Sequence, residues 1–141
     1  MSKQAVVGAI VAVLFLAGPM AGIAAAQEQK ELVKIAVDKK LGKYLTNSNG
    51  RALYYYKKDG PGKSECTGSC TQTWPVYCYT AEEISLSRGL KQSDFVSFHR
   101  TDNDQDHLAY KGMPLYNFAG DKKPGDRKGH GMDGLWFLVK P

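Results

Sequence analysis

The sequence contains little that commits it to a particular chemistry. It has three cysteines in 141 residues, Cys66, Cys70 and Cys78, all in one stretch. A c-type haem needs Cys-x-x-Cys-His, and both the spacing and the histidine are missing. A structural zinc site needs a second cysteine pair, and there is none. His99 and His107 have no nucleophile or carboxylate marked out beside them as a catalytic set. Asp102, Asp104 and Asp106 alternate as in a calcium loop, but His107 stands where that loop needs glycine and Met113 where it needs glutamate. A solvated hairpin turn is the better reading of that stretch. Charge is also modest, 19 Lys and Arg against 14 Asp and Glu. That excess is too small to argue for nucleic acid, an unsuitable partner for an exported chain in any case. It is compatible with an anionic surface, a polysaccharide or an acidic protein. No enzyme is expected.

The opening residues carry an address. Lys3 precedes an apolar run from Ala5 to Leu16, followed by the small-residue stretch AGPMAGIAAA. This has the form of a signal peptide over residues 1–26, with cleavage expected after Ala26. The run is too short and too interrupted by Gly and Pro for a membrane span. No transmembrane segment is expected after cleavage, and no cysteine at the cleavage point offers a lipid anchor. The remainder, 27–141, is the right size for a single domain. An exported chain, periplasmic or extracellular, can hold disulfides, and any one intrachain bridge leaves a third thiol over.

The richest feature is self-similarity. Shifting the chain by 62 positions lays Gly50 on Gly112, Leu53 on Leu115 and Tyr54 on Tyr116. The same shift lays Tyr56 on Phe118, Asp59 on Asp121 and Trp74 on Trp136. Such repetition marks a duplicated building block, with repeats over about 33–78 and 95–139. Within each, Tyr54 and Tyr56, or Tyr116 and Phe118, share one face of an extended strand. The Asp three residues on opens a Gly/Pro-rich loop, where its carboxylate can accept backbone N–H groups or a tyrosine hydroxyl. A metal-binding role for these Tyr and Asp oxygens is the functional alternative.

VKIAV (33–37) alternates as a strand, and Asn49-Gly50 signals a hairpin. DFVSFHR, a second hairpin about Lys111-Gly112 and a closing LWFLV replay the first half. TAEEISLSRGL is the one helical candidate, with Thr80 and Glu83 at capping-box spacing. The expected fold is mainly β. Two pseudo-equivalent four-stranded antiparallel meanders pack as a small sandwich or split barrel, joined by one short linking helix.

These residues resemble a bacterial and archaeal family of secreted repeats, often described as predicted lipoproteins, with the motif Y-x-[FWY]-x-x-D. Tyr54, Tyr56 and Asp59 match it once; Tyr116, Phe118 and Asp121 match it again. The resemblance runs from about Leu41 to Val139. It implies export and tandem repeats, and it carries no established activity. Cys78 and His130 lie outside the family pattern.

Two readings of the cysteine loop stay open. Cys66 and Cys70, four apart on a tight turn, can reach disulfide geometry and pin the loop. Alternatively, Cys-x-x-x-Cys is a copper spacing. The 62-residue shift places His130 and Met132 opposite Gly68 and Cys70, so the two loops together hold a copper-like set: Cys66, Cys70, His130 and Met132. No other cofactor is expected. The preferred function is a non-enzymatic envelope module that binds an unidentified partner, be it a protein, a polysaccharide or an anionic surface. A copper-binding or thiol electron-transfer protein is the alternative.

Overall fold

The computed structural model describes residues 30–141; the expected signal peptide lies outside them. The architecture is mainly β, as the repeats imply. Strands β1 (Val33–Asp38) and β2 (Gly42–Asn47) pair antiparallel, Val33 opposite Asn47 and Asp38 opposite Gly42. The turn between them is held by Asp38, whose Oδ1 accepts the N–H groups of Lys40 and Leu41 at 2.8 and 2.7 Å. After the Asn49-Gly50 turn comes β3 (Tyr54–Tyr56). The second half repeats this with β4 (Phe95–Arg100), β5 (Gln105–Tyr110) and β6 (Met113–Pro114), β5 pairing with both neighbours. The last strand, β7, is Trp136–Leu138.

The halves are not self-contained meanders. Each closing segment crosses over and pairs with the aromatic strand of the other half. β7 lies antiparallel to β3, Tyr54 opposite Leu138 and Tyr56 opposite Trp136. Reciprocally, Val76 bridges Tyr116, and the Tyr77 N–H donates to Leu115 O as the Val139 N–H donates to Leu53 O. At the centre the aromatic strands meet: Tyr54 N–H donates to Tyr116 O at 2.8 Å, and Tyr116 N–H to Tyr54 O at 2.9 Å. This reciprocity is that of an approximate two-fold axis between the two tyrosines.

Packing follows the same exchange. One buried cluster joins Val33, Leu45 and Leu53 to Phe95, Leu108, Tyr110 and Leu115. A second gathers Tyr54, Trp74, Tyr116, Trp136 and Leu138 around the axis. Trp74 and Trp136 stack with ring centres 3.8 Å apart and planes 4° from parallel. Such a pair contributes about 0.5–1.5 kcal/mol beyond the area it buries.

The linking helix does not form as expected. The segment holds two short 3-10 turns, Ala81–Glu83 and Gln92–Asp94, with extended chain between. The reason is competition for the backbone. Leu32 N–H and Val33 N–H donate to Ser85 O, and Ser87 N–H donates to Val33 O, so the linker lies along β1. Ala81 and Ile84 are thereby buried in the first cluster. The Thr80 hydroxyl makes no capping bond and has no partner in the structure. The α-helical turn that does form is Cys70–Thr73 (α1), in the cysteine loop.

Candidate functional site

The six repeat residues converge on the axis. Tyr54 and Tyr116 are fully buried. The Tyr54 hydroxyl donates to Asp121 Oδ2, and the Tyr116 hydroxyl to Asp59 Oδ2, each at 2.6 Å. The tyrosine of one repeat thus bonds the aspartate of the other. Each carboxylate also holds its own loop, Asp59 Oδ1 accepting Glu65 N–H at 2.7 Å and Asp121 Oδ1 accepting Lys128 N–H at 3.0 Å. The second aromatics behave alike: Tyr56 stacks on Trp136 at 4.3 Å, and Phe118 lies against Trp74 at 4.6 Å. All six therefore reach across the duplication. Burial, reinforced by the neighbouring aspartate, pushes both tyrosine hydroxyls far above their ordinary pKa. Burial likewise raises the pKa of Asp59.

Beside Tyr116 lies a polar knot that sequence reading missed. Arg100, at the end of β4, is buried. Its guanidinium forks onto Asp102 (2.9 and 2.6 Å) and donates to Ser64 Oγ (2.7 Å) and Cys66 O (2.8 Å). The Ser64 hydroxyl is 2.6 Å from the Tyr116 hydroxyl. His107 Nδ1 sits 3.3 Å from Arg100 Nη1, while its Nε2–H donates to Leu115 O at 2.8 Å. Since the guanidinium can only donate, the imidazole is neutral with its proton on Nε2. Burial, chiefly, lowers its pKa to about 4. The one available signal was an arginine closing an apolar-patterned strand two residues before an aspartate.

His99 and His107 lie on neighbouring strands, β4 and β5. His99, however, points outward, its two ring nitrogens 3.1 Å from Asp106 and 3.0 Å from Asp104. These carboxylates, the Asp106 bond foremost, raise its pKa. The three alternating aspartates are thus used by Arg100 and His99 in an exposed hairpin turn.

Cys66 and Cys70 form a disulfide, with Cα atoms 5.4 Å apart. Cys78 is free and half-buried, its thiol 3.1 Å from Gln105 Oε1; burial raises its pKa. Met132 and the disulfide border the same aromatic cluster. His130 Nδ1 accepts Leu138 N–H at 3.2 Å, so that nitrogen is engaged within its own half. Among the described residues no three His, Cys, Asp or Glu side chains are grouped to hold a metal. With their sulfurs bonded to each other, Cys66 and Cys70 present no thiolate for copper.

The model of a family described as secreted repeats of unknown function matches residues 35–77 and 101–140. The chain belongs to that family. The two matched segments correspond to the two halves, each ending in the closing segment that crosses to its neighbour. The family description marks the chain as exported, and no helix among the described residues is long and apolar enough to cross a membrane. No curated protein and no solved structure gives a match.

Proposed function

We propose that this chain is a non-enzymatic binding module of the cell envelope, periplasmic or extracellular, that engages an anionic partner through its loops. One observation carries the reading. The side chains best suited to chemistry are spent on joining the halves: Tyr54 on Asp121, Tyr116 on Asp59, and Arg100 on Ser64 and Cys66. Catalysis needs such groups presented to a substrate, whereas these are turned toward one another. What the loops present outward is largely cationic: Lys57, Lys58, Lys111, Lys122 and Lys123 are all exposed. A duplicated, cross-locked scaffold with loops on its surface suits recognition more than turnover.

The test is co-sedimentation of protein beginning at Gln27 with isolated cell envelopes. Saturable binding that weakens as salt rises is the expected result, because exposed cations act through a screened field. Absence of saturable binding, or turnover of a substrate by the pure protein, would overturn the proposal.

A further inference from the structure

A groove of about 310 Å³ runs between β3 and the β5–β6 turn, lined among others by Tyr55, Tyr56, Lys57, Asp59, Pro61 and Lys111. Its walls are fixed. Gly62 N–H donates to Gly112 O at 3.1 Å, locking the first loop onto the second hairpin. A Cβ on Gly112 would stand 3.5 Å from that of Pro61, so loop and turn are in contact. The volume lies at the small end for ligand sites, room for a small ligand or a short stretch of a polymer.

The duplication separates scaffold from lining. Tyr56 and Asp59 have counterparts that do the same structural work, Phe118 and Asp121. Tyr55, Lys57 and Lys111 fall instead opposite Asn117, Ala119 and Asn49. The ring and both cations of the groove are therefore particular to one copy. Asn117 is moreover taken up internally, its Oδ1 accepting the Asn47 side-chain amide at 2.9 Å.

The charge is one-sided. Lys57 Nζ lies 5.1 Å from the centre of the Phe137 ring and Lys111 Nζ 4.9 Å from that of Tyr110. Among the described residues neither ammonium has a carboxylate within ion-pairing distance. The acid in the lining, Asp59, has both oxygens engaged, by Tyr116 and by Glu65 N–H. Lys57 and Lys111, neither ion-paired among the described residues although Tyr110 and Asp94 act on Lys111, line the groove together with Tyr55 and complement a ligand that is anionic and has a flat apolar face. A sugar ring bearing a carboxylate has both: its C–H face packs on the electron-rich face of an aromatic ring, and its carboxylate accepts charge-assisted hydrogen bonds.

We propose that this groove binds an acidic polysaccharide of the uronate type. Tyr55 packs against a sugar ring, and Lys57 and Lys111 receive its carboxylates. The assignment rests on the binding-module reading above and names its ligand. An acidic peptide offers the charge without the ring face, and a bilayer is too broad to enter the groove.

Calorimetric titration with a galacturonate oligomer tests this, against a neutral galactose oligomer, poly-glutamate and phosphatidylglycerol vesicles. Binding of the uronate in preference to the other three is expected. It should weaken with salt, and about tenfold or more in Lys57→Gln/Lys111→Gln, the loss of one to two charge-assisted bonds. Tyr55→Leu should lose affinity for the uronate while keeping the salt dependence. Lys39→Gln/Lys40→Gln, exposed in the β1–β2 turn and outside the groove, should bind like the parent, and melting temperatures should confirm that all variants fold. Unchanged affinity in the groove variants overturns the proposal, as does a parent that ignores the uronate. Preference for poly-glutamate or vesicles overturns it too. In each case the module reading survives if envelope co-sedimentation persists.

Discussion

The two halves share their buried contacts and differ in how their loops are clamped. In both, a tyrosine hydroxyl reaches the aspartate of the opposite repeat at 2.6 Å and a tryptophan stacks at the axis. Around this constant centre the fastenings change. The first loop is closed by the Cys66–Cys70 disulfide and by buried Arg100, which enters from the second half. The second loop has no disulfide. There the position equivalent to Arg100 is Asp38, and the arginine comes from the loop: Arg127 pairs with Asp38 at 2.8 Å. Ser64 approaches the Tyr116 hydroxyl where the backbone of Gly129 approaches Tyr54 at 3.2 Å. That glycine is obligatory, because a Cβ there would lie 2.7 Å from the Trp74 ring. Contacts across the axis must satisfy both halves at once, whereas a clamp serves one loop and can reverse its charge.

The largest effects belong to the shared centre. Trp74→Ala and Trp136→Ala should each cost about 3–5 kcal/mol in urea unfolding, and by nearly equal amounts. A much smaller loss in one would break the equivalence. The arginine clamps should differ instead. Arg100→Ala leaves Ser64, Cys66 O and His107 without their donor and should cost about 3 kcal/mol. Arg127 is partly exposed, and Arg127→Ala should cost about 0–1 kcal/mol.

Acid should find the same asymmetry. His107 is buried neutral with a pKa of about 4, against an ordinary 6.5. Below pH 6.5 the unfolded chain takes up a proton that the folded chain refuses until near pH 4. Its contribution is present above pH 6.5 and is lost as pH falls across that window, by up to about 3 kcal/mol. Asp59, raised by burial, acts in the opposite sense at the acid end. His107→Gln should flatten the pH dependence of the melting temperature between pH 6.5 and 4, and an unchanged slope would show another group responsible. Removing the disulfide with Cys66→Ser/Cys70→Ser should cost about 2 kcal/mol, as expected for a short closed loop. Limited proteolysis should then cut the first loop and leave the second unchanged.

Much of this was legible because duplication leaves a periodic trace. The 62-residue shift found the motif residues, both glycine hairpins and the tryptophans, and the alternating pattern gave a mainly β fold. The crossing of the closing segments was not legible, since the matches are the same whichever half Trp136–Leu138 joins. The linker misled because Thr80 and Glu83 stand at capping-box spacing, while the backbone of Ser85 and Ser87 finds better partners along β1. Alternation placed β1 but overstated how far its buried face runs: Val37 continues the apolar pattern of Val33 and Ile35 yet is 72% exposed, beyond the edge of the core. Arg100 escaped because its partners, Ser64 and Cys66, lie in a loop more than thirty residues earlier.

The finest test asks which aspartate each tyrosine answers to. A repeat read on its own suggests Tyr54 with Asp59; the fold pairs Tyr54 with Asp121. Tyr54→Phe and Asp121→Asn should each cost about 1–3 kcal/mol, since each leaves a buried polar group short of a partner. Their double mutant should lose less than the sum, with a coupling of about 0.5–3 kcal/mol. Tyr54→Phe with Asp59→Asn shares no hydrogen bond and should be additive to within about 0.5 kcal/mol. Coupling in the second pair and additivity in the first would mean that each repeat closes on itself in solution. The exchange of strands across the axis would then be wrong, because the hydroxyl can reach Asp121 only where the second half lies against the first.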